Sequence, residues 1–143
     1  MLQRRREEKV AWLRRVPLFS NLSTGQLEAL TPLVEEVETT PGQVLIHQGE
    51  YGQELVIIVE GAVEAARDGE HLRDLGPGDV VGEIALLDGG LRTATITVRE
   101  PTTVLIISKR AFDTVLDQVP GLPHELLRAM ARRLRDATEG TTA

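Results

Sequence analysis

The segment spanning residues 81–94 contains side chains that could bind a small anionic ligand, and its sequence is VGEIALLDGGLRTA. Glu83 to Leu87 favours a helix, but Gly82 and the pair Gly89-Gly90 restrict that helix to about one turn. The backbone N–H groups of a first helical turn have no partner within the helix, so they form a potential anion site. Arg92 follows closely, and a guanidinium there can donate two hydrogen bonds to phosphate oxygens.

The carboxylate of Glu83 needs a different role in such a site, because a negative side chain cannot bind phosphate. It would instead accept a hydrogen bond from a neutral hydroxyl group. An anion site, free backbone amides and a carboxylate for a hydroxyl together indicate a sugar phosphate. The alternative for these two charged residues is a simple salt bridge between Glu83 and Arg92 across a turn.

The region that must position this segment, from about Glu35 to Ile107, consists of short runs separated by glycine-containing turns. Many short strands with regularly spaced turns predict an antiparallel β-barrel or jelly roll. Four turn glycines are expected to have positive φ and no ligand contact: Gly42, Gly61, Gly69 and Gly78. The strand-like runs are Val44–Ile46, Leu55–Val59, Ala62–Arg67, His71–Leu75, Thr93–Val98 and Thr103–Ile107.

Helical patterns flank this β region on both sides. Residues 4–30 are helix-like, and Ser23-Thr24-Gly25-Gln26 predicts a capping box before a short helix that buries Leu27 and Leu30. After Ser108 two further helices are expected, and the apolar stripe of the last one is Leu126, Leu127, Met130 and Leu134. We therefore predict one α+β domain, mainly β, with helices at 1–34, a β-barrel or jelly roll at 35–108 and helices at 109–143.

Composition excludes several classes of function. The chain has no cysteine, which excludes disulfides, thiolate metal sites and thiol redox chemistry. Its net charge of -6 and its aromatic content of 3% disfavour direct nucleic-acid binding, since single-strand readers use basic grooves with stacking rings. No apolar run reaches the roughly 18 residues of a membrane span. No apolar signal core follows the charged N-terminus, so no membrane association and a cytoplasmic location are expected.

The residue patterns of common catalytic sites are also missing. His47, His71 and His124 are far apart in the chain and lack paired metal-ligand spacing. There is neither a Ser/His/Asp set with nucleophile-elbow spacing nor a P-loop. Hydrolysis of a phosphate ester needs an activated water, normally held by metal ions. We therefore expect a binding protein that uses no metal and is not an enzyme.

Two motifs follow one another along the chain. The first is Leu45-Ile46, then Gly49-x-x-Gly52, the aliphatic run Leu55–Ile58 and Gly61. The second is Gly82-Glu83-Ile84-Ala85-Leu86, a short spacer and Arg92-Thr93-Ala94, preceded by Gly76-Pro77-Gly78-Asp79. Both resemble the cyclic-nucleotide-binding domain family, the regulatory modules of the bacterial catabolite activator and of cyclic-nucleotide-dependent kinases. The resemblance covers nearly the whole chain, which is expected to be a stand-alone domain of this type.

The resemblance implies a double-stranded β-helix that binds a cyclic mononucleotide. Arg92 would pair with the cyclic phosphate, backbone N–H groups near Ala85 and Thr93 would complete the phosphate cradle, and Glu83 would accept the ribose 2′-hydroxyl. The ligand-binding residues so implied are Val81, Gly82, Glu83, Ile84, Ala85, Leu86, Arg92, Thr93 and Ala94. A residue of the last helix would cover the base, and the candidates are Leu127, Met130, Arg133 and Leu134.

The resemblance leaves more than one possibility for the base of the nucleotide and for what ligand binding controls. A hydroxyl residue at the position of Thr93 accompanies either base in the family, and we expect cAMP in preference to cGMP. Ligand binding would swing the C-terminal helices about a hinge near Phe112 to Leu116 and so switch an effector protein or domain. A homodimer through the last helix is also expected from its stripe. The alternatives are a non-binding structural or protein-docking domain of the same fold, and a fragment of a transcription regulator without its helix-turn-helix.

Overall fold

The computed structural model describes residues 4–139, so the outermost residues of the predicted terminal segments lie outside the described part. The chain begins with helices α1 (Arg6–Leu13) and α2 (Thr24–Leu30), each followed by a 3₁₀ turn, Pro17–Phe19 and Thr31–Leu33. The predicted capping box is confirmed. The Ser23 side chain accepts a hydrogen bond from the Gln26 amide at 3.1 Å, and the Gln26 side chain accepts one from the Ser23 amide at 2.9 Å.

Two four-stranded antiparallel sheets follow, in the orders β1-β8-β3-β6 and β2-β7-β4-β5. The predicted mainly-β jelly roll with flanking helices is confirmed, as two facing sheets rather than a closed barrel. The glycines at positions 42, 61, 69 and 78 all have positive φ, as expected. The strands are β1 (Glu35–Thr39), β2 (Val44–Ile46), β3 (Glu54–Glu60), β4 (Val63–Arg67), β5 (Glu70–Leu75), β6 (Val80–Val81), β7 (Thr95–Val98) and β8 (Thr102–Ser108).

Strand β3 explains why the sequence contains five consecutive aliphatic residues from Leu55 to Val59. Alternate side chains of a strand point to opposite faces of the sheet. Leu55, Ile57 and Val59 face the helices and join the core that includes Phe19 and Phe112, whose ring centroids are 5.9 Å apart. Val56 and Ile58 join the second core, between the two sheets. The strand is therefore buried on both faces, and it holds the helical layer and the jelly roll together.

The C-terminal part contains α3 (Glu83–Asp88), between β6 and β7, and then α4 (Lys109–Val115) and α5 (Leu122–Glu139). The predicted apolar stripe of α5 is correct only in part. Leu126 is buried and Met130 packs against the helix-side core, but Leu127 and Leu134 are 69% and 68% exposed. No helix among the described residues has both the length and the apolar composition required to cross a membrane.

Candidate functional site

A cavity of about 410 Å³ opens beside α3, between β6 and β7. Ile46 and Ile96 contribute apolar walls from β2 and β7. Leu86 alone among the nine predicted ligand-binding residues does not line it, because its side chain is fully buried in the core. The other eight, which the fold brings together at this cavity, are Val81, Gly82, Glu83, Ile84, Ala85, Arg92, Thr93 and Ala94.

Helix α3 presents free backbone donors at its start. Its residues run only from Glu83 to Asp88, between Gly82 and Gly89, which both adopt the left-handed conformation. The Leu86 amide donates to the Gly82 carbonyl oxygen at 3.1 Å, and the Gly89 amide closes the helix on the Ala85 carbonyl oxygen at 2.7 Å. The three amides before Leu86 have no acceptor within the helix. They are the donors that the sequence predicts for an anion.

Arg92 is held in place from its backbone outward. Its amide donates to the Glu50 carbonyl oxygen at 2.8 Å, and its carbonyl oxygen accepts from the Gly49 amide at 2.9 Å. The side chain then runs inward and is only 9% exposed. Its Nη2 atom donates to the backbone carbonyl oxygen of Glu54. The loop between β2 and β3 thus fixes the backbone of Arg92, and the first residue of β3 fixes its guanidinium.

Two glycines make room for the guanidinium of Arg92. A Cβ atom on Gly82 would overlap the Arg92 Nη1 atom and lie 2.8 Å from the Glu54 carbonyl oxygen. A Cβ atom on Gly52 would overlap Ala85 and lie 3.2 Å from the Arg92 Nε atom. Gly82 was predicted as a site residue, whereas Gly52 was recognised only as part of the Gly-x-x-Gly motif. The Gly-x-x-Gly motif is the sequence feature from which Gly52 could have been predicted as a site residue.

The charge of Arg92 is not matched by a contacting carboxylate. Arg92 forms no ion pair within residues 4–138. Burial lowers the pKa of the Arg92 guanidinium, and the negative charge of Glu54 opposes that change. The group remains protonated at neutral pH, since the ordinary pKa of arginine is far above this range. A buried cation beside free amides is a site for an anion.

Glu83 does not pair with Arg92, so the simple salt bridge between them is absent from this structure. Its Oε1 atom accepts a hydrogen bond from Nη1 of Arg133 in α5 at 2.5 Å. Its Oε2 atom accepts from the backbone amide of Leu18, in the N-terminal 3₁₀ turn, at 3.0 Å. Three separate segments therefore meet at one carboxylate. Sequence reasoning missed Leu18, because a backbone amide leaves no residue-type signal.

Of the residues predicted to lie near the base, Thr93 lines the cavity and the four candidates in α5 do not. Thr93 lies at the rim, exposed, and its carbonyl oxygen accepts from Nε of Arg67 at 2.9 Å. No described residue of α5 lines the cavity, so none of the four predicted lid residues covers it in this conformation. Arg133 approaches it most directly, through Glu83. Among the described residues, no three His, Asp or Glu side chains are grouped closely enough to hold a metal ion.

Residues 36–119 match the family described as the cyclic nucleotide-binding domain. The chain belongs to that family. The resemblance inferred from the two sequence motifs is therefore confirmed, and the cavity beside α3 lies at the second of them. Members of the cyclic-nucleotide-binding domain family are regulatory modules, and the matched residues make up more than half of the chain.

Relatives show the same domain in several settings. The acetyltransferase Pat of Mycolicibacterium smegmatis is 36% identical over 132 residues, which make up 90% of this chain and 39% of that protein. A CRP-like cAMP-activated global transcriptional regulator of Mycobacterium tuberculosis is 31% identical over 128 residues, 86% of this chain and 57% of the regulator. The N-terminal domain of a transcriptional regulator from Streptomyces coelicolor A3(2) has a TM-score of 0.83 and 35% identity, covering 92% of this chain and 98% of that one. The cyclic-nucleotide-binding domain described here thus spans less than two thirds of these two curated relatives.

Proposed function

We propose that this domain binds a cyclic mononucleotide, cAMP in preference to cGMP, and performs no chemistry on it. The observation that carries the proposal is the guanidinium of Arg92, which is buried at the cavity wall and has no ion-pair partner among residues 4–138. An unpaired buried cation is costly, and a ligand phosphate would supply the missing charge. Two parallel hydrogen bonds from a guanidinium to phosphate oxygens would also fix the orientation of the ligand.

The other parts of the nucleotide have matching places in the cavity. The free amides at the start of α3 would bind the phosphate oxygens that Arg92 leaves unbound. Glu83, at the cavity wall, would accept the ribose 2′-hydroxyl through lone pairs that its two existing donors do not use. Val81, Ile46 and Ile96 offer an apolar surface to the base. A volume of about 410 Å³ lies within the range of small-ligand pockets.

The preference for cAMP rests on the relatives. The M. tuberculosis regulator is described as cAMP-activated. Thr93 is the one hydroxyl residue among the nine predicted ligand-binding residues, and cGMP is the competitor that this hydroxyl could favour by bonding the guanine amino group. Catalysis is not proposed, because hydrolysis of a cyclic phosphate normally needs a water activated by metal ions, and no three His, Asp or Glu side chains of the described residues are grouped closely enough to hold one.

The test is calorimetric titration of nucleotide-stripped protein with cAMP and then cGMP, for the wild type, Arg92→Ala and Arg132→Ala. We expect micromolar or tighter binding in the wild type and in Arg132→Ala, which changes an exposed arginine of α5. Arg92→Ala should lose at least about 100-fold in affinity, because a charge-assisted bidentate contact of roughly 3 kcal/mol is removed. No heat and no thermal stabilisation with either nucleotide would overturn the proposal.

We further propose that occupancy of the cavity repositions the C-terminal helices and thereby switches a partner. Glu83 supports this idea because the carboxylate proposed for the ribose also anchors α5 through Arg133 and the N-terminal turn through Leu18. A hydroxyl that competes for this carboxylate changes the attachment of both segments. Moving a two-state equilibrium from 1:99 to 99:1 requires about 5.5 kcal/mol of differential binding, and micromolar affinity supplies about 8 kcal/mol in total.

The domain or partner that such a switch would control can be proposed only for the whole protein. The S. coelicolor domain belongs to a transcriptional regulator, which favours a regulator with a further domain as the second candidate.

Leu127, Ala131 and Leu134 form an exposed apolar stripe on α5, and a second copy of this chain is the partner that we propose for it. Two leucines spaced around a small alanine suit close parallel packing of two identical helices. Sedimentation velocity with and without cAMP decides whether the dimer exists.

A further inference from the structure

Arg92 lies between two cavities, and only the larger one has been assigned a role. Behind the guanidinium is a smaller cavity of about 100 Å³, enclosed by the loop between β2 and β3. Its wall includes Arg92 again, together with the acidic residues Glu50 and Glu54. The arginine proposed to bind phosphate therefore faces a nucleotide-sized space on one side and a small acidic space on the other.

Glu54 acts on Arg92 in two separable ways. Its backbone carbonyl oxygen accepts the hydrogen bond from Nη2, which fixes the position of the guanidinium. Its half-buried carboxylate forms no ion pair with Arg92 but attracts its charge across the small cavity, against the effect of burial on the Arg92 pKa. Glu50 lines the same cavity but is exposed, so solvent screens its charge more strongly than that of Glu54. The two acidic neighbours thus differ in their electrostatic coupling to Arg92.

We propose that the carboxylate of Glu54 sets the ligand affinity of the domain by partly neutralising Arg92 from behind. This inference rests on the proposed function, since it concerns the affinity of the same arginine for a phosphate. In the empty protein the carboxylate offsets part of the cost of burying the guanidinium. When a phosphate arrives, the same negative charge repels it, so part of the attraction of Arg92 is lost. Glu54 therefore stabilises the empty domain and weakens its complex.

The first test is calorimetric titration with cAMP of the wild type, Glu54→Gln and Glu50→Gln. Glutamine retains the size of the side chain and the backbone carbonyl that holds Arg92, so only the charge changes. We expect Glu54→Gln to bind cAMP roughly 3- to 10-fold more tightly, the range of a partly screened charge pair, and Glu50→Gln to stay within about 2-fold of the wild type. Unchanged or weaker binding by Glu54→Gln would overturn the inference.

The second test needs no nucleotide and separates the inference from the proposed function. Glu54→Gln is combined with Arg92→Met in a double-mutant cycle, and thermal unfolding is measured for all four proteins. We expect Glu54→Gln to lower the Tm by roughly 2–5 °C when Arg92 is present and to have no such effect in the Arg92→Met background. Equal shifts in both backgrounds would show that the two charges are not coupled and would overturn the inference even if the wild type binds cAMP. Coupling in a protein that binds no cyclic nucleotide would overturn the proposed function instead.

Discussion

The phosphate cassette, which we define as residues 82–94 and which includes Arg92, and the C-terminal half of α5, residues 131–138, are held in the fold in opposite ways. In the cassette, the guanidinium is buried, bonded to a carbonyl oxygen and confined by Gly52 and Gly82. In α5, Leu126 and Ala129 are buried, but residues 131–138 are all exposed. Arg133 connects that half of the helix to the site, through a single ion pair with Glu83.

Under the proposed function, this difference would give one small domain a rigid binding site and a C-terminal helix that can move. A preorganised binding site loses little conformational entropy when a ligand arrives. A segment with few buried contacts opens at low free energy and can respond to that ligand. The two regions meet at Glu83, so changes on either side of this residue should produce very different effects.

Replacing Gly82 by alanine should damage the rigid region most. The new Cβ would overlap the Arg92 guanidinium, and the residue has φ of +82°, a conformation that is unfavourable for alanine. We expect a loss of roughly 2–5 kcal/mol in the free energy of unfolding, from overpacking and backbone strain together, and loss of nucleotide binding. Urea denaturation and cAMP titration measure the two effects.

Gly69→Ala is the matched control for that change. Gly69 has nearly the same backbone conformation, with φ of +80°, but an added Cβ meets nothing within 4 Å. Its substitution should cost only the backbone term of about 1–2 kcal/mol and leave binding intact. If both variants lost the same stability and both still bound, the close packing of Gly82 against Arg92 would be unimportant.

Two neighbouring leucines of α5 test where the packed half of the helix lies. Leu126 is 4% exposed and Leu127 is 69% exposed. Leu126→Ala should lose about 2–4 kcal/mol of unfolding free energy, because it leaves a cavity in the core. Leu127→Ala should change it by less than about 0.5 kcal/mol in the monomer. Thermal or urea unfolding of both variants decides this, and equal losses would mean that α5 docks in another orientation.

The smallest effect on stability is expected at the connection itself. Arg133→Gln removes the charged partner of Glu83, and because the arginine is partly exposed the loss should be below about 1 kcal/mol. Amide hydrogen exchange in residues 131–138 should nevertheless become several-fold faster than in the wild type. Arg132→Gln, at an exposed neighbour, is the control. Exchange that is identical in both variants would show that the Glu83 contact does not restrain α5.

Several features of the fold and of the cavity follow from local sequence patterns. The capping box at Ser23 depends on two side chains three residues apart, and the turn glycines depend on their own backbone torsions. The cassette residues are close in sequence, so most of them reach one cavity together, whereas Leu86, one turn into a short helix, turns to the core. The assignment of a base and of ligand contacts to these residues remains a prediction.

Other features depend on which segments the fold brings together. The leucines of α5 all have the same residue type, and only the docked position of the helix decides that Leu126 is buried while Leu127 and Leu134 are exposed. The partners of Glu83 are 65 and 50 residues away along the chain, and one of them is a backbone amide.

Local sequence patterns indicate the family, the order of helices and strands, and most of the residues that line the cavity beside α3. The physical reason is that turn chemistry, strand alternation and a contiguous motif act over a few residues. By contrast, Arg92 faces two cavities, Glu54 lies behind it and Arg133 reaches Glu83 because the fold packs these segments together. Those relations depend on packing between distant segments, and no local pattern encodes the distance between them.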